Sequence, residues 1–145
     1  NLINKLDDKD QKQIKIAIEN DIVSQLDQDD IQDESIKYEN KIKRALERKN
    51  VKFKTQEQLV EEQKLKYGKA LITPDFLLDS NIMINGKVIK WLEIKNFYGS
   101  NTKYFKKKVK KQVDKYYKEW GPGCVVYRYG FNEKIKFDDN SIISF

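Results

Sequence analysis

The sequence predicts an α/β fold, a mixed central sheet flanked by helices, with a further helix ahead of it at the N-terminus. Three observations carry this. Apolar residues recur at helical spacing before Arg48 and again between Thr102 and Trp120. Two β-branched runs, Ile82-Met83-Ile84 and Val88-Ile89, flank Asn85-Gly86, the strongest short hairpin signal. Cys124 to Phe131, rich in β-branched and aromatic residues, follows a Gly121-Pro122-Gly123 stop and reads as a buried strand.

Taken in order, Ile14, Ala17, Ile18, Ile22 and Leu26 predict a helix over about 8–26 with one apolar stripe. Asp27–Glu34 reads as an acidic linker, so 1–34 is expected to be an acidic helical segment and 35–145 the main domain. Asn1 is not Met, which leaves room for a segment upstream. A second helix is expected over about 35–48, with Ile42, Ala45 and Leu46 inward. Glu39 lies three positions before Ile42 on that side; it either needs a partner or a metal, or sits at the edge of the face and reaches solvent. Val51-Lys52-Phe53 suggests a short strand, and Thr55 a cap for a helix through about Gln63, with Lys64–Ala70 as loop. Strand is then expected from Leu71 to Lys95 around the hairpin. The helix over 102–120 is expected to align Phe105, Val109, Gln112 and Tyr116, and 142–145 to add an edge strand.

Pairing register decides whether the hairpin can build a site. Glu93 and Lys95 are two apart and share a face. With a strict two-residue turn, Asp75 opposes Asn96 and points away from Glu93. One extra residue puts Asp75 opposite Lys95 and on the correct face, so a bulge or an irregular strand start near Pro74 is expected.

Absences narrow the chemistry. The 145 residues contain no His and one Cys, Cys124, which excludes Ser-His triads, imidazole bases, zinc clusters and disulfides. Carboxylates, Lys and Tyr remain, and oxygen ligands favour hard cations, Mg²⁺ or Mn²⁺. No apolar run approaches a membrane span. Residues 1–34 hold four Lys against ten Asp and Glu, so the other 111 residues carry +12 of the overall +6. A basic body suggests a polyanion, although a Lys-rich composition alone would give the same balance. Lys103, Lys107, Lys108, Lys111 and Lys115 crowd the outer faces of the 102–120 helix, as phosphate contacts or as a solvated surface. Pro74-Asp75, the hairpin and Glu93-Ile94-Lys95 bring two carboxylates and an ammonium together, the composition of a divalent-metal site that cuts nucleic acid.

The predicted order and these residues resemble the restriction-endonuclease-like αβββαβ core of the PD-(D/E)xK nucleases. Gln112 and Tyr116 resemble the downstream helix motif of RecB-type members. Thr73-Pro74-Asp75-Phe76, Trp91-Leu92-Glu93-Ile94-Lys95, Phe97-Tyr98-Gly99 and Trp120 to Phe131 are similar to the TPD-motif family within that superfamily. The resemblance implies a nuclease in which Asp75, Glu93 and the backbone carbonyl of Ile94 hold Mg²⁺ or Mn²⁺. It implies that Lys95 positions water or stabilises charge, that Glu39 binds a second metal or orients water with Glu57 as rival, and that Gln112 and Tyr116 support the others. It also implies a nuclear or nucleocytoplasmic protein, nuclear favoured, with DNA as the favoured nucleic acid and a codanin-like protein partner. A module that keeps the fold and binds nucleic acid without cutting it is the alternative.

Overall fold

The computed structural model describes residues 8–84, 86–137 and 142–144; the side chains before Asp29, Lys12 excepted, and those of 142–144 lie outside the described set. The expected apolar stripe from Ile14 to Leu26, the turn residue Asn85 and Phe145 therefore fall outside it. The chain divides into two compact units, Asn1–Lys37 and Tyr38–Phe145.

Helix α1 runs from Asp8 to Arg48. The two helices and acidic linker expected from the sequence are corrected by it, since Asp27–Glu34 is helical. The physical reason is that no Gly or Pro precedes Gly68, and polarity alone does not break a helix. The end of α1 is a Schellman turn: Asn50 takes φ +57, with Val51 N–H donating to Leu46 O at 3.0 Å and Asn50 N–H to Glu47 O at 3.0 Å.

Strand β1 (Phe53–Thr55) begins two residues later than expected. Helix α2 (Gln56–Tyr67) starts at the predicted cap: Thr55 Oγ1 accepts from Gln58 N–H, and Gln58 Oε1 accepts from Thr55 N–H. It runs past Gln63 to Gly68, whose φ of +79 ends it.

Leu71–Pro74 is not strand, contrary to expectation, because α2 side chains take its backbone groups. Gln63 accepts from the Leu71 and Ile72 amides at 2.7 and 3.0 Å and donates to Ile72 O at 2.6 Å. Gln56 donates to Thr73 O through its side chain and to Asp75 O through its amide, at 3.2 and 3.1 Å. Asp75 is thus fixed before the strand begins.

Strands β2 (Phe76–Ile84), β3 (Lys87–Lys95), β4 (Cys124–Tyr127) and β5 (Ile142–Ser144) complete a five-stranded sheet of order β1-β2-β3-β4-β5. The β1–β2 and β2–β3 pairs are antiparallel, and β3–β4 and β4–β5 are parallel, so β3 is central. Helix α3 (Lys103–Trp120) makes the crossover from β3 to β4. This is the mixed α/β order anticipated, with α2 inserted between β1 and β2. Strand β4 stops at Tyr127 because the chain turns at Gly130, φ +81, short of the expected Phe131.

Each face of the sheet carries a core. One joins Phe76, Leu78, Ile89, Leu92, Ile94 and Val126 to Ile42 and Leu46 of α1. The other joins Trp91, Val125 and Tyr127 to Val109, Val113 and Tyr116 of α3. Val113, not Phe105, lies at the heart of the α3 face; Phe105 is exposed.

Candidate active site

The site depends on a break in the β2–β3 register. At the hairpin end Ile84 pairs with Lys87 and Ile82 with Ile89, around Gly86 at φ +77. Past the break Leu77 pairs with Trp91 and Phe76 with Leu92, so residues 78–81 stand against Lys90 alone. Three residues are extra where one was expected, and the irregularity lies further along β2 than Pro74. Both shifts are odd, so both turn the side chains to the same face. On β3 the flip is visible: Ile89 and Leu92, three apart, enter one core, while Trp91 enters the other. Glu93 and Lys95 follow Trp91 on the α3 face.

What holds the flip lies some thirty residues downstream. Lys90 N–H donates to Pro122 O at 2.8 Å, and Trp91 Nε1 donates to Gly121 O at 2.9 Å. The fully buried Trp91 ring lies where a Cβ on Gly123 would be, 2.0 Å from its nearest ring atom. Glycine is therefore required there by space alone. The ring also meets Tyr116 edge-on at 5.1 Å.

The structure brings Asp75, Glu93, Lys95, Gln112 and Tyr116 into one contact chain. Asp75 N–H donates to Glu93 Oε2 at 3.3 Å, and Ile94 N–H donates to Asp75 Oδ2 at 2.7 Å. Lys95 Nζ donates to Glu93 Oε1 at 3.3 Å and to Gln112 Oε1 at 2.7 Å. Tyr116 lies beside Glu93, where its hydroxyl lowers the Glu93 pKa. Asp75 and Glu93 are only 9% and 6% exposed, unusual for carboxyls that among the described residues make a single ion pair between them. Ile94 contributes its amide, and its side chain is core.

Burial dominates the electrostatics. It pushes Glu93 up to about 7, with Asp75 adding to the rise and Lys95 and Tyr116 opposing it. Asp75 is also raised, by burial first, against the Ile94 amide and Lys95. Tyr116 is raised by burial and by Glu93 beside it, so it stays a neutral donor. Glu39, half-buried on α1, is pushed up to about 7 by burial and then by Asp75 and Glu57. Glu39, Glu57 and Asp75 line a cleft of about 350 Å³ with Lys43 and Gln56. Glu39 and its rival Glu57 thus share this cleft; through charge, Asp75 raises Glu39 and Glu57 raises Asp75. Among the described residues, no three acidic or Cys side chains gather closely enough to hold a metal between them.

Lys103, Lys107, Lys108, Lys111 and Lys115 are all exposed on α3. Sequence reasoning missed Gln56, Gln63 and Val113 as positioning residues, and it did not foresee that Trp91 and Gly123 fix the register. The Gly-Pro-Gly run was the available signal for Gly123, since it supplies a backbone onto which a large ring can close.

Fold and site together define a mixed α/β protein with a buried Asp–Glu pair and a lysine on its central strand. The pattern described as "Protein of unknown function TPD sequence-motif" matches residues 6–144, and the chain belongs to this TPD family. It is 31% identical over 118 residues to Uncharacterized protein L539 of Acanthamoeba polyphaga mimivirus, covering 79% of this chain and 41% of that one. It is similar to CDAN1-interacting nuclease 1 of Xenopus laevis, 34% identical over 95 residues, covering 65% and 29% of the two chains. The Mus musculus protein of that name is 31% identical over 103 residues, covering 70% and 34%. The matched part thus spans between about three and four tenths of these relatives. No solved structure matches. No helix among the described residues is long and apolar enough to cross a membrane.

Proposed function

We propose that this chain is a divalent-metal-dependent nuclease that hydrolyses phosphodiester bonds, with DNA as the favoured substrate. The observation that supports it is the pairing of Asp75 with Glu93, two buried carboxyls locked together by the Asp75 and Ile94 amides. Burial raises both, and one ammonium, Lys95, can offset only one negative charge. Such a pair suits a hard cation, and the all-oxygen donor set suits Mg²⁺ or Mn²⁺. Mg²⁺ in particular keeps several waters and takes one or two carboxylates plus substrate phosphate, which agrees with the two carboxyls, Asp75 and Glu93, that meet here. The Ile94 carbonyl and Glu39 are the further ligands proposed.

When bound, the cation polarises the phosphoryl group and lowers the pKa of a water. The protein supplies the rest. Lys95, held by Gln112, places positive charge where the transition state gathers negative charge. Tyr116 fixes the rotamer of Glu93. Glu39, at about 7, is suited to accept a proton at neutral pH across the cleft from Asp75. The exposed α3 lysines contact phosphates. A codanin-like partner is proposed from the printed names of the relatives, and a nuclear location follows only from DNA being the favoured substrate.

Cleavage of labelled DNA with Mg²⁺ or Mn²⁺, for wild type, Asp75→Ala and Lys95→Ala, tests the proposal. Metal-dependent cutting that survives both substitutions would refute the site. A second reading, a module that binds nucleic acid without cutting, is favoured because no three acidic or Cys side chains among the described residues gather closely enough to hold a metal between them. Tight binding with no cutting under either metal would establish it.

A further inference from the structure

From Asn96 to Val113 the sequence has no Asp or Glu against six Lys, and it places four aromatic residues there: Phe97, Tyr98, Tyr104 and Phe105. All four are exposed, Tyr104 at 72%. Three of them form one cluster. The Phe97 and Phe105 rings are 6.4 Å apart, Tyr104 meets Phe105 edge-on at 5.3 Å, and Phe97 rests on buried Tyr127 at 6.0 Å. The loop that carries Phe97 is tied down beyond it. Gly99 N–H donates to Gly130 O at 2.9 Å, Asn132 N–H donates to Gly99 O at 2.8 Å, and a Cβ on Gly99 would meet Phe131 at 2.6 Å. The rings are therefore presented on a fixed support.

The cluster adjoins the candidate site. Phe97 is two residues beyond Lys95, where β3 has ended in a bend, and so lies within roughly 7 Å of it along the chain. Phe105 is about two turns before Gln112, roughly 10 Å along α3. Lys103 and Lys107 flank the rings, and the first turn of α3 has no acidic residue, so the positive end of the helix is not offset.

We propose that Phe97, Tyr104 and Phe105 are a base-stacking platform, and that the nucleic acid led to Asp75 and Glu93 is single-stranded or ends in a frayed single strand. Aromatic faces stack on any base, but only on bases not already stacked within a duplex. Interleaved lysines without carboxylates suit a polyanion, and they favour nucleic acid over an apolar protein surface as the occupant. The substrate assignment rests on the nuclease reading above; the stacking itself is measured without cleavage.

The test is fluorescence anisotropy with EDTA at fixed salt, using oligo-dT, a blunt duplex of equal length and an abasic oligonucleotide. Wild type should bind oligo-dT most tightly, by about five-fold or more for each stacked base. Tyr104→Ala should lower oligo-dT binding part of the way toward the level of the abasic strand, and Tyr104→Ala with Phe105→Ala further, with duplex binding nearly unchanged in both and the melting temperature as a check on folding. Lys103→Glu should weaken all three ligands alike and reduce the salt dependence. Equal affinity for oligo-dT and the abasic strand, or for oligo-dT and duplex, would overturn the proposal. So would full oligo-dT affinity in the double variant, which would make the cluster a protein contact. Selective oligo-dT binding without cutting in any metal would uphold the platform and refute the nuclease.

Discussion

Asp75 and Glu93 are coupled through the backbone: the amide of Asp75 donates to the Glu93 carboxylate at 3.3 Å, and the amide after Glu93 donates to the Asp75 carboxylate at 2.7 Å. Neither side chain can turn without leaving a buried amide unpaired, which costs about 1–3 kcal/mol. The pair is therefore set in place before any ligand arrives.

Stability should depend on pH through this arrangement. Glu93 and Glu39 ordinarily titrate at 4.5, and in the fold both are pushed up to about 7. Between those values the folded protein holds more protons than the unfolded chain. Metal-free stability should accordingly fall as pH rises from about 4.5 through about 7. Denaturant titrations at the two ends of this window should show wild type losing on the order of 1–2 kcal/mol more than Glu93→Gln. Equal losses would remove the role given to burial.

Divalent metal should reverse that loss. Mn²⁺ at a hundred times its dissociation constant is expected to add about 2.7 kcal/mol at neutral pH. Thermal melts of Glu93→Gln and Asp75→Ala with and without Mn²⁺ should coincide. A shift as large in the variants as in wild type would place the metal elsewhere.

Tyr116→Phe isolates one hydrogen bond. The ring against Trp91 is retained, so stability should change by only about 1 kcal/mol. The bond to Tyr116 lowers the pKa of Glu93, so its loss should raise Glu93 further and move the acidic limb of the pH–rate profile upward. Cleavage should drop about 10- to 100-fold. An unmoved profile would deny Tyr116 this role.

Gly123→Ala should act at a distance. The added methyl falls on the Trp91 ring, where overpacking typically costs 1–3 kcal/mol, about as a minimum here because the clash is at 2.0 Å. If Trp91 yields, the β3 flip that points Glu93 and Lys95 toward Asp75 yields with it. Any folded fraction should therefore have lost both cleavage and Mn²⁺ stabilisation, and an active, stable variant would contradict this account of the register.

Much of the site was legible in the sequence because its members lie close along the chain. Asn85-Gly86 sets the hairpin, and the two-residue period sets the shared face of Glu93 and Lys95. The parity of the register break was also legible, since only an odd shift brings Asp75 to that face. Its size and place were not, because the Pro122 carbonyl and the Gly123 backbone that stabilise it come from beyond α3. The same distance hid the Gln56 and Gln63 clamp on Leu71–Asp75, which turned expected strand into a fixed irregular segment. Asp27–Glu34 differs for another reason: its charge suggests a break, yet no residue there interrupts helical geometry.

Strand β3 is bonded to β2 on one edge and to β4 on the other, with a further strand outside each neighbour. Its amides can exchange with solvent only when the sheet itself comes apart, whereas those of the edge strands can exchange by fraying. Fraying of β1 or β5 leaves Glu93 and Lys95 in place, and only opening of β3 itself displaces them. Protection of the β3 ladder amides and stabilisation by Mn²⁺ should therefore be lost together, so either one becomes a gauge of the folded fraction in any preparation.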